Sequence, residues 1–161
     1  MTQILESLRS PVLLAATLAA GLQAGTYYTW ASGVMPGLAR GDDRSFVATM
    51  QNMNVAIVNP AFMLSFLGAP LLAGAAIVTS NSSARPWVIA GTAFAIGTIA
   101  ITAGGNIPLN NALDSAGSVE RITDLAAVRG DFESPWVNWN IARAMTSTAS
   151  LACLAWAALR S

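Results

Sequence analysis

The side chains with chemistry to offer are amides, aromatic rings and one arginine, and they fall in four separate stretches. Trp136, Trp139, Asn140 and Arg143 open a run, Ala144 to Leu159, that carries no charge. Asn106 and Asn110 flank Pro108, Gln51 and Asn54 stand three residues apart, and Gln23, Tyr27 and Tyr28 lie in the first apolar stretch. On a helix, residues three or four apart share a face, which groups Gln51 with Asn54, Trp136 with Trp139, and Trp139 with Arg143. One stripe then presents two indoles and a guanidinium. Such a set can stabilise an anion, provided the fold brings the stretches together.

Other chemistries are excluded by composition. There is no histidine and a single cysteine, Cys153. That removes imidazole metal and haem ligands, a Ser-His-Asp relay and any intrachain disulfide. The carboxylates lie in the connecting segments, so a carboxylate-bridged metal pair inside a bundle is not expected, and no metal site is assigned. A formal net charge of zero offers no basic patch for nucleic acid.

The elements that must position these residues are apolar. Of 161 residues 54% are hydrophobic and 10% charged, with mean hydropathy +0.54; soluble domains carry roughly a quarter charged residues. No charge occurs from Ser10 to Ala39, from Ser45 to Ala84 or from Pro86 to Leu113. A helix needs about 20 apolar residues to cross a bilayer, so each gap holds one span and Trp136 to Leu159 supplies a fourth. The expected fold is all-α, one membrane domain, a four-transmembrane-helix bundle with spans at about 11–35, 45–79, 86–107 and 135–159. Asn59-Pro60 should break the second near 59–60, and Met35-Pro36-Gly37 should stop the first. Between Asp114 and Ser134, Val119, Ile122 and Ala126 recur at helical spacing, which predicts a short amphipathic surface helix before the last span, ended by Gly130.

A soluble bundle would show polar residues at helical period along each segment, and Leu64–Val78 and Val88–Thr102 do not. A cleaved signal peptide fits the first segment less well than a retained helix, because the apolar run continues into Tyr27, Tyr28 and Trp30. With four spans, Arg9, Arg85 and Arg160 share one side, tight against span ends. This favours cytoplasmic termini in a bacterial inner membrane.

Under this topology the four polar stretches meet at one membrane face. Arg143 lies seven residues inside Trp136, roughly 10 Å along a helix. A charge at that depth costs about 2.5–3.5 kcal/mol, against about 1 kcal/mol for each net hydrogen bond. Three readings stand side by side: a side chain snorkelling to the headgroups, an anion-stabilising group, and an interhelix tie. For Asn106 and Asn110 the alternative is repair of the backbone opened by Pro108. For Gln51 and Asn54 it is helix-to-helix bonding, and for Tyr27 and Tyr28 an interfacial aromatic belt.

The segments GLQAGTYYTWASGVMPGL, MQNMNVAIVNPAF, NIPLNNAL and WVNWNIAR follow one another in this order. Together they resemble the anthrone-oxygenase-like family of small four-helix membrane proteins, over nearly the whole chain. The resemblance implies an oxygenase that uses no metal or flavin, with molecular oxygen as co-substrate, converting a polycyclic anthrone to a quinone during polyketide biosynthesis. It implies Arg143, Asn140, Asn110, Asn106 and Tyr27 as catalytic residues. Trp139, Trp136, Gln51, Asn54 and Tyr28 would bind the substrate. Tyr27, Tyr28, Asp114 and water are the candidate bases. The expected partners are membrane lipid and an aromatic small molecule, with homo-oligomerisation open. The competing class is a non-catalytic membrane protein or subunit that binds an aromatic or lipidic molecule. A transporter would need an ionisable carboxylate within a span, and none is present.

Overall fold

Residues 2–161 are described in a computed structural model. They are helical throughout, with no strand among the described residues. The first rod is α1 (Thr2–Thr29), a π turn (Trp30–Val34) and α2 (Met35–Leu38). After a short loop, α3 (Asp43–Ala56) leads through a joint at residues 57–59 to α4 (Pro60–Thr79). The next rod joins α5 (Arg85–Ile101), a second π turn (Thr102–Asn106) and α6 (Ile107–Ser115), and α7 (Leu125–Ala158) closes the chain.

Local chemistry sets most boundaries. Asp42 accepts from the Ser45 N–H at 2.7 Å and caps α3; that hydrogen bond holds its carboxyl below the usual range. Pro60 keeps Asn59 extended, at φ −128° and ψ 161°, and Asn59 then caps α4 through the Phe62 N–H. The break expected near 59–60 is there for this reason. Gly117, at φ +84°, ends the α6 rod in the left-handed conformation that favours glycine.

Two expected ends are corrected. The first rod does not stop at Met35-Pro36-Gly37, and the third does not stop near residue 107 but runs on to Ser115; both pass through a proline. In each, the residue before the proline donates its N–H five residues back, Met35 to the Trp30 carbonyl and Ile107 to the Thr102 carbonyl. A proline ring presses on the carbonyl four residues earlier. That carbonyl, of Ser32 or Gly104, lies inside the π turn, where the wider winding makes room. The amphipathic segment before the last span is also continuous with that span. Asp124 caps α7 through the Ala127 N–H, and Gly130 and Pro135 both lie inside the helix.

α1 packs against α4 and α7, and α5 against α7 and α4, closing a four-helix bundle. Alanines dominate one core, with Ala16, Ala20, Ala73, Ala76 and Ala157 around Leu13, Val88 and Leu154. Small residues let membrane helices approach closely. At Gly91 an added Cβ would lie 2.9 Å from Leu154 Cγ, and Ser150 donates to the Gly91 carbonyl across the same contact. Leu14, Leu18, Leu22, Leu64, Leu71 and Val78 face outward, as lipid contact requires.

Three rods are long and apolar enough to cross a membrane: Leu5–Leu38, Pro60–Thr79 and Arg85–Ser115. This is a membrane protein. The fourth rod, α7, is less apolar because its buried face carries Asn140, Arg143, Ser147 and Ser150. At one end of the bundle Arg9 donates to the Thr79 carbonyl and Asn81 to the Arg160 carbonyl, gathering the chain termini and the α4–α5 turn. The opposite end holds the second core, built from Met35, Phe46, Met50, Leu113, Phe132 and Trp136.

Candidate functional site

The buried face of α7 repeats at alternating steps of four and three: Trp136, Asn140, Arg143, Ser147, Ser150, Leu154, Ala157. This is the stripe of a left-handed helix bundle. It carries Arg143 inward, where the residue is 7% exposed. Arg143 Nη2 donates to Asn140 Oδ1 at 2.9 Å. Its guanidinium carbon lies 4.5 Å from the Tyr27 ring centroid and 5.2 Å from that of Trp136. Two cation–π contacts at about 0.5–2 kcal/mol each, with one charge-assisted hydrogen bond at about 1.5–3 kcal/mol, are comparable to the cost of placing the charge there. Arg143 therefore does not snorkel. Its ion-pair positions are empty of protein: the salt bridges among the described residues involve Arg44 and Arg129 only, and Arg143 Nε is buried without a hydrogen-bond partner.

Arg143 lines a cavity of about 270 Å³. The aromatic walls are Tyr27, Trp30, Trp136, Phe62 and Phe66, and Met53, Ile57 and Met63 complete the apolar side. Asn54, Asn110, Thr26 and Thr102 add polar groups. No carboxylate, thiol or imidazole lines it. Tyr27 is 2% exposed, and its hydroxyl is buried without a closed hydrogen bond, facing the Arg143 guanidinium and the Thr102 hydroxyl.

Around the cavity the amides lock its frame. Asn140 Nδ2 donates to the Tyr27 carbonyl at 3.1 Å, so one amide holds both Arg143 and the α1 backbone. Asn106, in the second π turn, donates to the Trp136 carbonyl at 3.2 Å. Asn110 accepts from Trp136 Nε1 at 2.8 Å, fixing that indole against Trp30, whose ring centroid is 5.2 Å away. Both π turns thus contribute to the site, through Trp30 and Thr102. A separate void of about 10 Å³ borders Gln23, room for one water beside its unpartnered Oε1.

Of the residues singled out in the sequence, the structure gathers Arg143, Asn140, Asn110, Asn106, Tyr27, Trp136 and Asn54. Three stand apart. Tyr28 is 66% exposed on the outer face of α1. Trp139 is 44% exposed and packs over Gly105, where an added Cβ would lie 2.4 Å from its ring. Gln51 donates to the Leu113 and Gly117 carbonyls and ties α3 to the end of α6. Trp30 takes the wall position expected of Trp139. Thr102, Phe62 and Phe66 were not singled out. The four-and-three stripe on α7 was the available signal separating Trp136 from Trp139.

Residues 48–153 match the family model described as anthrone oxygenase. The chain belongs to the anthrone oxygenase family. Comparison with curated proteins and with solved structures returns no match. The matched stretch takes in α4, α5, α6 and most of α7, including Asn54, Asn110, Trp136 and Arg143. Tyr27 and Trp30, from the first rod, lie outside it.

Proposed function

We propose that the protein is a cofactor-independent oxygenase that converts an anthrone or related polycyclic phenol to a quinone, with molecular oxygen as co-substrate. The observation that carries this reading is Arg143, a buried cation with no carboxylate partner, facing an aromatic-walled cavity. Such a site favours a flat apolar molecule that develops negative charge on an oxygen.

The reaction has a simple balance. The substrate loses the proton of its methylene carbon to water at the open side of the cavity and becomes a delocalised enolate. Arg143 and the Tyr27 hydroxyl hold the enolate oxygen. One electron passes to O₂, and the two radicals combine to form a carbon–oxygen bond. The remaining hydrogen on that carbon then leaves as a proton while the O–O bond breaks. The departing oxygen takes up the two released protons as one water, and the CH₂ carbon becomes the quinone carbonyl: four electrons leave the organic molecule and O₂ accepts four.

An apolar substrate and O₂ both concentrate in lipid, which suits a site walled by membrane helices. With cytoplasmic termini in a bacterial inner membrane, the cavity would lie toward the outer leaflet. The test is oxygen uptake by detergent-purified protein with an anthrone under air, followed by quinone absorbance. Enzyme-dependent quinone formation supports the reading. Saturable binding without oxygen uptake would instead make this a membrane protein that binds aromatic molecules.

A further inference from the structure

The cavity does not end at its aromatic walls. A second, more open groove of about 580 Å³ runs on from it between α3 and α6, and four residues line both: Asn54, Val58, Ile107 and Asn110. The two compartments differ in chemistry. The inner one has a cation and aromatic rings. The outer one adds Gln51, Asn111 and Asp114, so amides dominate its polar surface and its ionisable side chain is a carboxylate. Gln51 fixes its floor by bonding the Leu113 and Gly117 carbonyls. At the boundary, Asn54 Nδ2 is buried with no hydrogen-bond partner, an unmet donor at the shared wall.

We infer that this groove is a second substrate subsite, which receives the hydroxyl-bearing, uncharged end of the aromatic molecule whose reacting ring lies against Arg143. The inference rests on the oxygenase reading above and adds to it a rule of substrate choice. Amides pair with hydroxyl groups as donors and acceptors alike. Asn54 supplies the donor nearest the rings. Asp114 repels an anionic substituent, while Arg143 at the other end attracts the anion formed in the reaction. The opposed signs set the orientation of the molecule: acidic carbon and oxygen inward, neutral hydroxyls outward. A carboxylated analogue would have to place its anion beside Asp114 or turn around and lose the reacting geometry.

The test uses full-length protein in detergent with two probes, 3-hydroxyanthrone and anthrone-3-carboxylate, which carry a neutral or an anionic substituent at the same end of the ring system. Quenching of tryptophan fluorescence, to which Trp30 and Trp136 at the cavity contribute, reads binding under nitrogen, and quinone absorbance reads turnover under air. The neutral probe should bind more tightly than the carboxylate. Asp114→Asn should tighten carboxylate binding about tenfold, the order expected for one charge at groove distances, and so narrow the preference for the neutral probe. Asn54→Leu should weaken the neutral probe without affecting the folded fraction. Equal binding of both probes, unchanged by Asp114→Asn, would overturn the subsite while leaving oxygenase activity on the neutral probe intact. If neither probe binds, the oxygenase reading falls and this inference with it.

Discussion

Arg129 and Arg143 sit on the same helix, both against aromatic rings, and their surroundings are opposite. Arg129, at the water-facing start of α7, bonds Asp43 at 3.0 Å and Glu133 at 2.6 Å, and donates to the carbonyls of Gly41 and Ala39. Its guanidinium also lies over Phe46 at 4.6 Å. Every side of that cation is matched, and what it matches is the loop between α2 and α3. Arg143 has one amide, two rings and no carboxylate, and it faces open volume. A saturated cation ties the chain together. An unsaturated one held in place by its neighbours leaves binding capacity for something else. The difference teaches that an aromatic neighbour alone does not single out an arginine; Arg143 is set apart by being buried, without a carboxylate partner and at the edge of a cavity all at once.

The comparison breaks most sharply on activity. Arg143→Met should lower the turnover of an anthrone by about 10²–10³-fold, the usual loss for one oxyanion-stabilising donor. Its thermal midpoint should stay unchanged or rise, since replacing a buried charge with an apolar side chain is often neutral or stabilising. Steady-state oxygen uptake with a thermal melt of the same sample decides. Turnover within twofold of the parent would remove Arg143 from the chemistry.

Arg129→Met should do the reverse. Loss of its carboxylate and carbonyl partners should destabilise by about 1–2 kcal/mol, discounted because those carboxylates are partly exposed. Per folded molecule, turnover should remain near the parent value. The Glu133 hydrogen bond raises the Arg129 pKa above its ordinary value. Its contribution is thus present at every pH below that ordinary value, and between pH 6 and 9 the destabilisation should not change through this group. A melt series across that range checks both the size and the flatness.

A third prediction concerns the frame. Gly105→Ala puts a Cβ into the Trp139 ring and should cost about 1–3 kcal/mol as overpacking, read as a lower melting midpoint. Pairing it with Trp139→Ala should recover most of that loss, because the clash disappears. The smallest effect is expected from the tyrosine pair. Tyr28→Phe should leave turnover and stability unchanged, whereas Tyr27→Phe should slow turnover by about tenfold through loss of one neutral donor. Equal effects at both positions would contradict the placement of Tyr27 at the cavity.

How much of this was readable beforehand follows from the range of each signal. The three charge-free gaps marked the apolar rods because length and hydrophobicity are local properties. The joint at Asn59-Pro60 was readable for the same reason, as a steric rule between neighbours. The rods' passage through Pro36 and Pro108 was not, since a proline after an apolar run more often stops a helix than widens it into a π turn. In the site, Arg143, Asn140, Asn106, Asn110 and Tyr27 stood out by type. Trp30 and Trp139 exchanged places because a three-residue step from Trp136 turns about 60° around an ideal helix, enough to carry an indole from the bundle interior to its surface.

By itself the amino-acid order determined a helical membrane protein, the rough limits of its rods, and a polar set with no metal ligand of the imidazole kind, because hydrophobic length and residue chemistry need no partner to be expressed. Only the tertiary structure decided which rings wall the cavity, that Arg143 lacks a counter-ion, and that an amide groove continues from it. Those properties belong to spaces between helices, and a space is defined by what surrounds it from every side of the chain at once.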